Sequence, residues 1–259
     1  AIDPWGVFVP FTVWMMVIMI SGLGLVGYFL VKYFGARGGV PLTAILGATV
    51  SSTAVTTSIA VQSKKLNIDN IFASGLLLAL GTMQFKVAGV IWFIGVEEIK
   101  ASALIPLAMG FSSYLLAGYF WWRSMKQSDE QKVADRGIKS NLSQPFELKP
   151  ALLFGFLFVA VMALVTLGQE LYGRNGVYIA SIFSAAVDID AIVLSSLQSL
   201  KASELALTVA VNAIGIALVA NTMMKLLYLL FFRATKLFWK VLIPICISSG
   251  VGIAVMLLI

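Results

Sequence analysis

Eight apolar segments, at roughly 5–31, 40–62, 71–96, 101–122, 150–168, 177–200, 205–232 and 237–259, restrict this chain more than any other feature. Each is about long enough to cross a hydrocarbon core of ~30 Å at 1.5 Å of helix rise per residue. A soluble domain must cover itself with polar surface, and this chain has too little. Of its 259 residues 60% are hydrophobic and only 12% charged, with a mean hydropathy of +0.97. The fold class expected is an all-α polytopic membrane protein, since in lipid a helix satisfies its own backbone hydrogen bonds.

The longest hydrophilic stretch, Arg123 to Lys149, splits the segments four and four. The expected organisation is a membrane repeat over 1–122, a polar linker over 123–149, and a second membrane repeat over 150–259. The net charge of +6 gives no reason to expect a nucleic-acid partner, because most of the basic residues sit in loops. The expected partners are the lipid bilayer and, in an oligomer, further copies of the chain. The absence of histidine excludes imidazole chemistry, and the single Cys246 excludes an internal disulfide. The chain starts at Ala1 rather than Met, without a basic n-region or a small-residue cleavage site, so it is expected to be part of a longer protein rather than to open on a signal peptide. Trp121–Trp122 and Phe231–Phe232 stand at segment ends, as an interfacial aromatic belt would.

The halves resemble one another. A shift of 137 residues gives seven identities between 39–58 and 176–195: Gly39 and Val40 with Gly176 and Val177, then Ile45, Ala48, Val50, Ala54 and Ser58 with Ile182, Ala185, Val187, Ala191 and Ser195. After a two-residue slip Lys86 corresponds to Lys225, each preceded by threonine and methionine. An internal duplication is expected.

Two arrangements of the segments are open. If all eight cross, nine loop cations fall on the side of the 123–149 linker and seven on the other. If 40–62 and 177–200 instead enter and return on one side, the split becomes thirteen to three. The second arrangement obeys the orientation rule better and makes the repeats inverted. Against it, both segments are long enough to cross, and re-entrant backbone must be buried in protein or line water.

Charges inside apolar segments are few. Asp188 and Asp190 lie mid-segment among the acidic residues, and Lys86 and Lys225 among the basic ones. A charge in hydrocarbon costs about 2.5–3.5 kcal/mol on insertion scales, so such residues face one another or a wet cavity. They are either ion pairs that tie helices together or a polar pathway. On a continuous helix Asp188 and Asp190 would point apart, so a shared site requires a broken segment. The matching stretch Thr49 to Ser58 carries hydroxyls on seven of ten residues. These either bond back to their own helix or form a wall facing the aspartates. Carboxylates and hydroxyls are hard ligands, suited to Mg²⁺, Ca²⁺ or a monovalent cation. Asn221, Thr222 and Gln84 add polar groups beside the lysines. No nucleophile, base and orienting group can be assembled, and an enzyme is not expected.

Phe34-Gly35-Ala36-Arg37-Gly38-Gly39, Val50-Ser51-Ser52-Thr53-Ala54, Asp188-Ile189-Asp190-Ala191 and Asn221-Thr222-Met223-Met224-Lys225 resemble the DUF4010 family. Pro4-Trp5-Gly6-Val7-Phe8 and Tyr28 add to the likeness, which covers nearly the whole chain. The resemblance implies a prokaryotic membrane protein, expected in the cytoplasmic membrane. It also implies an MgtC/SapB-like region before this domain, and through it a link to magnesium. Where the family often has arginine this chain has Lys86, keeping the charge without the planar fork.

The leading expectation is therefore a transporter or channel for a small inorganic ion, a cation with Mg²⁺ the first candidate. Asp188 and Asp190 would be its carboxylate ligands and Ser51, Ser52 and Thr53 its hydroxyls. Lys86 and Lys225 would balance charge or gate the site, with Asn221, Thr222 and Gln84 as further lining. No cofactor is expected beyond a bound hard cation. A non-transporting regulatory protein is the alternative, and an anion pathway built on the two lysines is a third reading.

Overall fold

The computed structural model describes residues 10–64, 68–126, 189–203 and 205–259, with Leu152 and Phe156. The described residues are helical almost throughout, with short turns and no strand. The elements are α1 (Pro10–Ser63), α2 (Asp69–Ile94), a 3₁₀ stretch (Glu97–Ala103), α3 (Leu104–Lys126), α4 (Ile189–Lys201), α5 (Leu207–Phe231) and α6 (Thr235–Leu258). Arg37–Ser63, α2, the run Glu97–Lys126, α5 and α6 are long and apolar enough to cross a bilayer. So many long apolar stretches among the described residues make the chain an integral membrane protein. The segments expected at 71–96, 101–122, 205–232 and 237–259 lie on α2, α3, α5 and α6. That at 150–168, and 177–200 before Ile189, fall outside the described residues.

Helix α1 is one run in name only. Its backbone leaves the helical region at Gly35 (φ 70°, ψ 169°) and at Ser51 (φ −154°, ψ 105°). The left-handed φ at Gly35 is one that a side chain disfavours and glycine does not. The chain reverses there so tightly that a side chain on Gly39 would run into the backbone of Val31. A second reversal follows at Ser51. Val40 Cγ1, Ile59 Cδ1 and Ala44 Cβ lie 2.9, 3.5 and 3.7 Å from where a Cβ on Gly75 would stand. In a straight helix Ala44 and Ile59 would be about 22 Å apart. Limbs 36–50 and 52–63 therefore fold back on each other against α2, with a small cavity between Val40, Thr43, Val55, Ile59 and Phe72. Segment 40–62 is thus a hairpin of two short helices, although its length alone would suit a straight span.

The helices define two ends. Helices α2 and α3 are antiparallel and meet where Phe85 packs edge-on to Phe111 and Tyr114. Arg37 donates to the Ser124 carbonyl at 2.8 Å, which puts the start of the hairpin at the α3 C-terminus. Ser63 and Lys64 at the end of α1, and Asp69 at the start of α2, border the 233–237 turn between α5 and α6. Arg37, Lys64, Arg123, Lys126, Arg233 and Lys236 therefore gather at one end, against Asp69. The opposite end carries Glu97, Glu98, Lys100 and Lys201.

Two apolar clusters fill the interior. One joins the hairpin to α2, α5 and α6 through Val55, Phe72, Leu76, Leu229 and Val241. The other joins α2, α3, α4 and α5 through Val87, Ile91, Met109, Val193 and Ile214. Trp92, Phe93, Phe111, Leu115, Trp239 and Leu257 face outward, as lipid-facing side chains do.

Candidate functional site

The tip of the hairpin is where the hydroxyl-rich sequence falls. Ser51 has the extended backbone of an N-cap, and its Oγ accepts from the Ala54 N–H at 3.2 Å. A serine that caps does not continue the preceding helix, which gives the break at 51 a local cause. Beyond it, the Thr56 and Thr57 hydroxyls donate to the carbonyls of Ser52 and Thr53 at 2.8 and 3.0 Å. Thr49 likewise bonds the Leu46 carbonyl. Most of the seven hydroxyls therefore serve their own helix.

Ser52 and Thr53 reach across to other helices. Ser52 Oγ donates to Met83 Sδ of α2 at 3.2 Å. Thr53 Oγ1 accepts from Lys225 Nζ of α5 at 2.6 Å, and Lys225 is fully buried. The ammonium also lies 5.8 Å from the Tyr228 ring centroid, one turn along its own helix.

The second intramembrane lysine meets a carboxylate. Lys86 Nζ of α2 lies 2.6 Å from Asp190 Oδ2, near the start of the described part of α4. The pair is partly open, with side-chain exposures of 27% and 35%. Asp188 lies outside the described residues. Among the described residues no three His, Cys, Asp or Glu side chains converge. The carboxylate expected to bind an ion is thus held by a lysine, and the three expected hydroxyls act as a cap, a thioether donor and a lysine acceptor.

These contacts have a common form. In each, a lysine on a long helix reaches a residue from the other half of the chain: Thr53 at the start of limb 52–63, and Asp190 near the start of the described part of α4. Thr53 and Asp190 are 137 residues apart, the spacing that aligns the two halves. Limb 52–63 runs from Thr53 toward the basic end, whereas α4 runs from Asp190 toward the opposite end.

Gln84 and Thr222 belong to a neighbouring buried network that sequence reading half found. Gln84 Nε2 donates to Thr222 Oγ1 at 3.3 Å, and Ser113 donates to Gln84 Oε1 at 3.2 Å. Ser248 lies 3.0 Å from Ser113 Oγ and donates to the Met109 carbonyl at 3.1 Å. Gln84, Thr222, Ser113 and Ser248 are all fully buried, tying α2, α5, α3 and α6 together. Ser113 and Ser248 were not singled out from sequence. A lone serine in an apolar helix usually bonds its own backbone, so only the tertiary partner marks these two. Asn221 is buried on α5 next to this network.

Comparison with known proteins gives a family without naming an activity. An uncharacterized protein of Aquifex aeolicus (strain VF5) is 28% identical over 207 residues, covering 80% of this chain and 87% of that protein. No solved structure matches. Residues 18–233 match the family described as "Domain of unknown function (DUF4010)". That match spans most of the chain, including the hairpin and both lysine contacts, and the chain belongs to the DUF4010 family.

Proposed function

We propose that the chain is a transporter of a small inorganic ion, built from two inverted repeats whose short half-helices meet near the middle of the membrane. The observation that carries this reading is the reciprocal pair of contacts, Lys86 with Asp190 and Lys225 with Thr53. Thr53 lies at the start of limb 52–63 and Asp190 near the start of the described part of α4, and the two run to opposite ends. Limb 52–63 is about 18 Å long, so its tip reaches roughly the middle of a ~30 Å core. Broken helices with polar groups at that depth are where transport sites form. A purely structural role would not need charges so deep, since apolar packing stabilises as well as a buried pair.

The ion is a cation, with Mg²⁺ the first candidate as cargo, and Asp190 is its described carboxylate ligand. Lys86 is then a tethered competitor: it occupies the carboxylate until an ion replaces it, which gives a two-state gate. Asp188 belongs to the same site in this reading, as do the hydroxyls of Ser51, Ser52 and Thr53. The basic end faces the cytoplasm of a prokaryotic cell by the orientation rule, and the hairpin and 177–200 are re-entrant.

An anion pathway is the second reading, favoured by one observation. The positive pole of limb 52–63 and the Lys225 ammonium both stand at Thr53. Flux in liposomes separates the two. Protein reconstituted with a magnesium-sensitive dye inside should carry Mg²⁺, with flux falling at least tenfold in Asp190→Asn and less in Thr53→Val. A hard divalent ion gains most from formal charge, while a hydroxyl is replaceable by water. Chloride flux lost in Lys225→Met but kept in Asp190→Asn would select the anion pathway. No flux of either ion from folded protein would leave a regulatory role.

A further inference from the structure

At the basic end, away from the lysine contacts, a cavity of about 210 Å³ opens between the end of α1 with the start of α2 on one side and the turn joining α5 to α6 on the other. Lys64, Arg233 and Lys236 line it with Ser63 and Thr235, and Asp69 is the one carboxylate among its described lining residues. None of the three cations forms an ion pair with a described residue. We propose that this cavity binds a phosphate group, carried by an anionic lipid headgroup or free in solution.

Three features support a phosphate over a chance cluster of surface charge. The first is that three cations converge on one concave space against a single carboxylate, a balance that suits a compact anion. Basic pockets between membrane helices at the headgroup level hold lipid phosphates in this way. The second is the donor geometry. Helix α6 opens at Thr235 with Ala234 as its N-cap and no side-chain cap. Its first N–H groups therefore lack helical partners and can serve an anion beside the cations.

The third is the conformation of Arg233. Helix α5 ends in a double-bonded cap, in which the Ala234 N–H reaches the Leu229 carbonyl at 2.8 Å and the Arg233 N–H the Leu230 carbonyl at 2.9 Å. Arg233 is the left-handed residue of that cap, at φ 56°. Glycine is the usual residue there because it has no Cβ to strain. An arginine at this position costs stability relative to glycine, and this one lines the cavity. This observation yields a test in which stability and binding move in opposite directions.

The experiment titrates purified full-length chain in a neutral detergent with dioctanoyl phosphatidylglycerol, dioctanoyl phosphatidylcholine and inorganic phosphate, reading binding calorimetrically and unfolding by heat. Phosphatidylglycerol should bind and raise the unfolding temperature, and phosphatidylcholine should do neither. Arg233→Gly should unfold at the same or a higher temperature without ligand, yet bind roughly fivefold more weakly. Lys236→Gln should weaken binding by a similar factor. If inorganic phosphate competes with the lipid, the site takes the free anion as well; if it does not, the glycerolipid headgroup is the ligand. Equal binding of the two lipids with no binding of phosphate would overturn the proposal. So would phosphatidylglycerol binding that Arg233→Gly and Lys236→Gln leave unchanged.

Discussion

Lys86 and Asp190 hold each other across two helices at 2.6 Å, and both are partly open to the outside of the protein. That exposure decides how much the pair is worth. A fully buried pair that loses one partner strands a charge, while an exposed one loses little. A pair about a third exposed lies between, so each single change should be tolerated and coupling should remain measurable. Lys86→Met and Asp190→Asn are expected to be non-additive in unfolding temperature, with a coupling of about 0.5–1.5 kcal/mol favouring the double variant. Strict additivity would mean that the contact does nothing for the fold. Lys225 differs because it is fully buried. Lys225→Met with Thr53→Val should lose less stability than Thr53→Val alone, since the single change removes an acceptor from a buried ammonium. The reverse order, measured as yield of folded protein in detergent, would show that the Thr53 contact is incidental. At this scale the sequence was informative: two lysines and two aspartates stood out because charge in an apolar run is costly. The partners were not readable, since Thr53 was one hydroxyl among seven.

At the scale of the element, the hairpin of limbs 36–50 and 52–63 is the feature with most consequence. Gly75 of α2 is its seat, because Val40 and Ile59 both press on the space where its Cβ would be. Gly75→Ala places a methyl 2.9 Å from Val40 Cγ1, tighter than van der Waals contact. The change should destabilise by about 1–3 kcal/mol, the usual cost of overpacking. Val40→Ala in the same chain removes the offending methyl and should recover most of the loss. A Gly75→Ala variant with unchanged stability, or one that Val40→Ala worsens, would contradict the fold-back. The break itself was half visible. Serines and threonines in series weaken a helix by offering the backbone other partners, but the run alone did not say which residue would cap. Ser51 does so because its extended backbone puts Oγ within reach of the Ala54 N–H.

For the molecule as a whole, the two ends differ in charge, and the hairpin begins and ends at the same one. Arg37 is tied to the α3 C-terminus, and Lys64 borders the α5–α6 turn. Cysteines at Gly38 and Lys64, in a chain with Cys246→Ser, should therefore react with an impermeant thiol reagent from one face of sealed vesicles. A cysteine at Glu98 should react from the other. Labelling of positions 38 and 64 from opposite faces would restore a straight crossing and remove the inverted-repeat reading with it. Composition and run length determined that the chain lives in a membrane as helices, because only helices and closed barrels satisfy their backbone in lipid, and runs of about twenty apolar residues suit helices. They also determined which residues were out of place there, because the cost of an intramembrane charge is local. Whether 40–62 crosses or returns depended on the tertiary structure. Both paths bury the same apolar residues, and hydropathy cannot tell them apart; the contacts at Gly75 and Arg37 fold the segment back on itself and favour the return. The choice of Thr53 for Lys225 and Asp190 for Lys86 was also tertiary, since each contact joins residues more than a hundred positions apart. Only the packing of one half of the chain against the other brings them together.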